Sequence, residues 1–186
     1  QTNQIDSPIK TKLDNWYQSK LASYSSYIAD ETFCNDRSVT SGDGYKLDSF
    51  TQYGAFNRLV DKKIPSLKCS GDNDKFRVSN ASAKLDYPIS LITADEVALA
   101  GGVSGVTNMN YYLYNSRNFW TISPSYFSFN YSDARIWAVM FSGNLHPGYR
   151  VTNSNEVRPV INLKADATIS KGDGSSLNPF VVKTED

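Results

Sequence analysis

The sequence predicts an α+β domain from three features. An amphipathic stretch near the amino end has helical spacing, a second short helix carries its own caps, and the downstream half breaks into β-like runs separated by polar turns. The 186 residues include 40% hydrophobic and 20% charged residues, the balance of a globular chain. Nineteen basic residues offset nineteen acidic ones, so no net field draws nucleic acid or an anionic membrane, and neither is expected as a partner. No apolar run approaches the roughly 20 residues of a membrane helix, so this segment is not expected to insert. The chain starts at Gln1, so it is expected to be mature or trimmed, with any signal or anchor outside it.

Asp6-Ser7-Pro8 supplies a cap and a first-turn proline. Ile9, Leu13, Trp16, Tyr17, Leu21 and Tyr24 follow on one face, which predicts a helix from about Pro8 to Tyr24 with that stripe in the core. From Tyr27 to Asp74 the pattern is irregular. Turns are expected at Gly42-Asp43-Gly44 and Gly71-Asp72-Asn73-Asp74, with a short helix from Tyr53 to Val60. Lys75 to Val78 alternates like an edge strand. Ile89 to Ile92 reads as a strand feeding a short helix, on which Thr93 and Glu96 form a capping box and Gly101-Gly102 a stop. Strands are expected at Phe119–Ser123, Ala134–Phe141, Val157–Leu163 and Phe180–Lys183. Loops are expected at Ser125–Asp133 and Ser142–Asn155, with a tight turn at Gly172 to Ser176.

Cys34 and Cys69 lack the spacing of a redox or zinc motif. One structural disulfide is expected, which implies an oxidising compartment and an extracellular or cell-surface setting; two buried thiols in a cytosolic chain are the alternative. His146 is the sole histidine and sits in His-Pro-Gly, a turn signal, so a loop position is expected rather than a catalytic base. Dinucleotide, phosphate-loop, zinc-protease and serine-hydrolase signatures do not occur, and no enzyme is expected. No cofactor is expected. Asp72-Asn73-Asp74 and Asp43-Gly44 offer oxygen ligands for a structural calcium, but Asx-turns explain the same residues better. Trp120 and Trp137 fall within strands and are expected in the core, and Arg158 is expected to hold a buried carboxylate or carbonyls.

Leu91 to Gly102 resembles the L-P-T-x-x-E-W-x-x-A-x-x-G-G helix of formylglycine-generating-enzyme-like domains with the C-type lectin fold. Phe119-Trp120-Thr121-Ile122-Ser123 is similar to that group's "YWSSS" strand. Ala134 to Phe141 is similar to its "A-x-x-V-x-F" strand, and Val157-Arg158-Pro159-Val160-Ile161 to its closing "VRPVR" strand. The resemblance spans about Pro88 to Leu163, and the whole chain also resembles a family of secreted Gram-positive bacterial domains. It implies a C-type lectin-like fold, in which two helices flank a small twisted, mostly antiparallel sheet with long loops. Residues 1–186 would form one domain, with the helix and disulfide-tied part in 1–86 and the lectin-like core in 87–186. The calcium-dependent sugar triplets of the lectins and the catalytic cysteines of the oxidases have no counterpart here.

In diversity-generating-retroelement variable proteins, which the carboxyl-terminal half resembles, displayed positions lie between the "YWSSS" and "VRPVR" strands. That region here is rich in Tyr, Asn, Ser and Phe, a vocabulary of adaptable binding surfaces. The candidate ligand-binding residues are Tyr126, Phe129, Asn130, Tyr131, Asn144, Tyr149, Arg150, Asn153 and Asn155. The expectation is a non-enzymatic recognition module, of adhesion or receptor type, for a protein or glycan on a cell surface. The alternatives are a structural domain of a bacterial surface or pilus-like assembly and, further back, an unrecognised hydrolase.

Overall fold

The computed structural model describes residues 3–44, 49–175 and 177–184. It has the expected α+β composition, with helices α1 (Pro8–Lys20), α2 (Gly54–Phe56) and α3 (Ala94–Leu99). A five-stranded antiparallel sheet is built from β3 (Val39–Ser41), β4 (Thr51–Tyr53), β6 (Phe119–Ser128), β7 (Asp133–Val139) and β8 (Leu145–Arg150), in the order β3-β4-β6-β7-β8. Three two-stranded ladders surround it. They pair β1 (Ile28–Ala29) with β9 (Asn162–Leu163), β2 (Phe33–Cys34) with β5 (Lys75–Phe76), and β10 (Ile169–Lys171) with β11 (Val181–Val182).

Successive side chains of a strand face opposite ways, so the sheet carries two cores. Trp137 joins Phe119, Val139 and Leu145 beneath α3, whose Val97 is also fully buried. Its chain neighbour Ala138 joins Trp120 on the other face, against Leu13 and Tyr17 of α1. The capping box on α3 forms as expected: Thr93 Oγ1 accepts from the Glu96 N–H at 3.0 Å, and Glu96 Oε2 accepts from the Thr93 N–H at 2.8 Å. The helix stops at Gly101, whose φ of +111° suits glycine, and a Cβ there would stand 3.0 Å from Tyr111 Cβ.

Several expectations are corrected. The first helix ends at Lys20, and Ala22–Tyr27 tightens into a 3₁₀ turn, where serines compete for backbone partners. Tyr24 is consequently exposed, and Trp16, although within the helix, is exposed as well, not core. The expected helix at Tyr53–Val60 is present as a helical stretch over residues 54–62, but only Gly54–Phe56 is α-helix and Asn57–Lys62 continues as π-helix. Ile89–Ile92 is no strand; Ser90 makes one bridge to Val160, and only Asn162–Leu163 of Val157–Leu163 is strand. The Lys75 and Val181 runs form two-residue strands. The Gly42–Gly44 turn leads into residues 45–48, and the Gly172 turn ends at Ser176, all outside the described residues.

Each of the two expected loops contains strand. β6 continues to Ser128, and β8 occupies residues 145 to 150. Pro124 hides the first extension, because it sits at a register shift of the β6–β7 ladder, where a missing N–H is tolerated. Inward-facing Ser123, Ser125 and Ser128 are buried, reversing the usual apolar-in pattern. His146-Pro147-Gly148 lies in the sheet's last strand and is no turn, since an edge strand accommodates proline.

The disulfide is present, with Cys34 and Cys69 35 residues apart. Beside it, Arg37 Nε donates to Asp74 Oδ1 at 2.7 Å, while Asp72 pairs with Lys75 at 2.9 Å, so the two carboxylates of the Asp72-Asn73-Asp74 calcium candidate already hold cations. Arg58 links the irregular segment to α3 by a two-pronged contact with Asp95, both at 2.8 Å, and reaches Asp36 as well. Burial disfavours the Asp36 charge, but hydrogen bonds from Ser38 and Arg58 outweigh it and hold its pKa below the ordinary value. Asp95 is nearly inaccessible, so Asp95→Ala leaves the largely buried Arg58 guanidinium with Asp36 alone and should cost about 3 kcal/mol by denaturant melt. Replacing both cysteines with Ala should cost about 2–4 kcal/mol in the same assay, by loosening the unfolded loop.

Candidate functional site

α1 covers only part of its face of the sheet. Leu13 and Tyr17 are buried there, but Ile9, Ile122 of β6 and Ile136 of β7 stay partly open. Between them lies an open cleft of about 740 Å³. Trp120, Ile122 and Ile136 supply its floor, and Ser7, Pro8, Ile9 and Lys12 one wall. Val151, Asn153, Ser154, Asn155 and Val157, which follow β8, form the opposite lip. Its volume falls in the usual range for small-ligand sites, and the mostly apolar lining has the usual chemistry.

Two charged networks brace the cleft. Arg37 is fixed by Asp74 and donates to Asn3 Oδ1 at 2.9 Å, while Asn3 Nδ2 donates to the carbonyls of Asn73 and Ser82. Lys10 Nζ stands among Asp14 at 2.7 Å, Asp86 at 2.5 Å and Asp6 at 3.1 Å. Burial works against the Lys10 charge, but the three carboxylates outweigh it and raise its pKa. Among the described residues these three acids form the one group of His, Cys, Asp and Glu with metal-like spacing, and the ammonium fills it.

The structure disperses the sequence-predicted residues. Phe129, Asn130 and Tyr131 form the exposed tip of the β6–β7 hairpin. Arg150 lies over the Tyr131 ring at 5.6 Å and pairs with Asp133 at 2.9 Å. Val151 connects this tip to the cleft, its N–H donating to Ala134 O. Asn153 and Asn155 stand on the lip, where the Asn155 amide nitrogen is buried without a hydrogen-bond partner.

The other three lie elsewhere. Tyr126 is half-buried, tilted against Phe50 at 4.9 Å and edge-on to Phe56 at 5.7 Å. Tyr149 is half-buried edge-on to Trp120 at 5.7 Å, and its hydroxyl accepts from Asn118 Nδ2. Asn144 is in the β7–β8 turn, at the opposite end of the sheet, and accepts from the Gly105 N–H at 3.0 Å. Arg158 serves a carbonyl, donating to Leu113 O and covering the Phe119 ring at 4.5 Å.

Sequence reasoning missed the cleft floor. Trp120 is core as expected yet also borders the cleft. The alternation of Trp120 with Ile122 was the available signal; the incomplete cover by α1 left none. Compared with known proteins, the chain matches no family model, no curated sequence and no solved structure. No helix among the described residues is long and apolar enough to cross a membrane.

His146 is half-buried beside Tyr149, and its Nδ1 accepts from the Gly148 N–H at 3.0 Å. Burial, helped by Arg135, lowers its pKa from the ordinary 6.5. The folded state thus favours neutral imidazole, and the unfolded chain takes up the proton first as pH falls. Its stabilising contribution is full above about pH 6.5 and is lost as pH falls through the lower folded value. The melting temperature should therefore fall between pH 7.5 and 5.5, and His146→Gln should flatten that slope. An equal slope in the variant would contradict this role.

Proposed function

We propose that the chain is a non-enzymatic, extracellular ligand-recognition module, with a lectin-like arrangement of helices on a twisted sheet. The disulfide and the absence, among the described residues, of a membrane-crossing helix are compatible with an extracellular setting. The observation that carries the reading is the open cleft, whose lip is tied towards the exposed hairpin tip by the Val151 N–H to Ala134 O bond and by Arg150 over Tyr131. An apolar floor gives affinity, while Asn153, Asn155, Arg150 and Tyr131 offer donors and a ring for orientation. The ligand is a molecule of a cell surface, protein or glycan in origin.

A structural role in a surface assembly is the second reading, and a different surface favours it. Leu99, Val103, Val106, Met109, Tyr112 and Phe141 are all exposed around the far end of the sheet. Residues 97–116 carry no charge, and the Gly143 turn packs against Asn108 to present this stretch. A surface of this kind suits contacts between protein copies.

The purified protein should give a specific hit on a glycan-and-surface-protein array. Val151→Trp, which fills the lip from an exposed position, should abolish that hit. Phe129→Ser/Tyr131→Ser should weaken it by roughly tenfold, as loss of interface anchors does. No hit from folded protein, together with concentration-dependent sedimentation, would replace recognition by the assembly reading.

A further inference from the structure

We infer that the occupant of the cleft is an extended, uncharged stretch of a protein chain with branched apolar side chains at alternate positions. This rests on the cleft being the ligand site, and it selects the protein over the glycan. The apolar surface left open there is aliphatic: Ile9, Ile122, Ile136 and Val157 line the cleft and are half-buried. Of the two aromatic residues in the lining, Trp120 is only 4% exposed, and Phe76 is half-buried with the Arg37 guanidinium over its ring at 5.6 Å. A sugar would press hydroxyls against that aliphatic floor, and each one left without a partner costs free energy. Branched apolar side chains give up only surface that gains from leaving water.

The lip suits a peptide backbone. Asn153, Ser154 and Asn155 line it in succession, and their side chains hydrogen-bond to nothing among the described residues. The Asn155 amide nitrogen is also buried. A side-chain amide carries the same donor and acceptor as a peptide group, so the lip can meet the backbone of an extended chain. A helix satisfies its own backbone and has no use for these groups. An extended chain turns every second side chain the same way, which aims its apolar residues at the floor while its amides run along the lip.

Charge fixes what the segment lacks. The four cations bordering the cleft are Lys10, Lys12, Arg37 and Lys84, and four carboxylates at or beside it, Asp6, Asp14, Asp74 and Asp86, match them in number. No net charge is left to pair with a ligand, and an ion buried on the floor would stand without a partner.

The test selects random linear peptides, displayed on phage, against the intact protein. Val151→Trp protein serves as the counter-target, and a glycan array is run in parallel. Selected peptides should share apolar residues at alternate positions with no charge between them. Binding of the tightest, read by fluorescence anisotropy, should weaken roughly tenfold when one of those residues becomes Ala. Asp or Lys at the same position should abolish it equally. Asn155→Ala should weaken it roughly tenfold with an unchanged melt, because the amide has no partner to lose in the free protein. A purely structural asparagine would instead lower the melt and leave affinity alone. Apolar residues at helical spacing, or affinity indifferent to Asn155→Ala, would overturn the extended chain. Selected segments with charge of one sign would overturn the neutral one. A glycan hit lost in Val151→Trp, with no such peptides, would overturn the protein ligand and keep the cleft as a site. No peptide and no glycan whose binding Val151→Trp abolishes would overturn both this inference and the cleft reading beneath it.

Discussion

The pairing of β6 with β7 is the constraint on which the remaining structure depends. It is the longest ladder in the described residues, running from Phe119↔Val139 to Ser128↔Asp133. It places Trp137 in one core and Trp120 in the other, so a slip of one residue would turn each to the wrong face. Thr121 Oγ1 fixes the register by donating to Trp137 O at 2.8 Å in a fully buried position. Ser123 Oγ accepts from the Ala94 N–H at 2.9 Å and joins the first turn of α3 to the same strand. The buried hydroxyls of Thr121 and Ser123 therefore set positions that an apolar strand could not set.

The amino-terminal half has little periodic structure of its own and is held by specific ties. β4 adds to the β6 edge through Thr51↔Phe127 and Gln52↔Tyr126. Arg58 reaches Asp95 at the base of α3, the disulfide closes the 34–69 loop, and Arg37 fastens that loop to Asp74. The ion pairs among these ties fix geometry more than they add stability, because desolvating each charge offsets much of its attraction. Their consequence is positional: Arg37, Asn3 and α1 are held around one side of a sheet face that they do not fully cover.

Local signals were legible where one residue type had one physical use. The capping box at Thr93 and Glu96, the Gly101 stop, the strand cores at Trp120 and Trp137 and the Cys34–Cys69 pair were all readable in sequence. The strands containing Pro124 and Pro147 were not, since a bulge and a sheet edge are tertiary facts that excuse a proline. The same gap scattered the candidate residues. Tyr126 and Tyr149, taken as loop rings, pack on a sheet, while Asn153 and Asn155 reach the cleft because β8 ends beside it. Nothing in the spacing of Ile9, Ile122 and Ile136 shows that they meet, because that depends on how far α1 leaves the sheet uncovered.

The central claim is that this uncovered face, between α1 and β6–β7, receives the ligand. Its most direct measurement is a methyl-resolved NMR titration of isoleucine-labelled protein with the molecule that gives the hit on the glycan-and-surface-protein array. The account predicts saturable shifts concentrated on Ile9, Ile122 and Ile136, with Ile28 and Ile169 unmoved. Shifts spread evenly over all isoleucines, or confined to those away from α1, would contradict it.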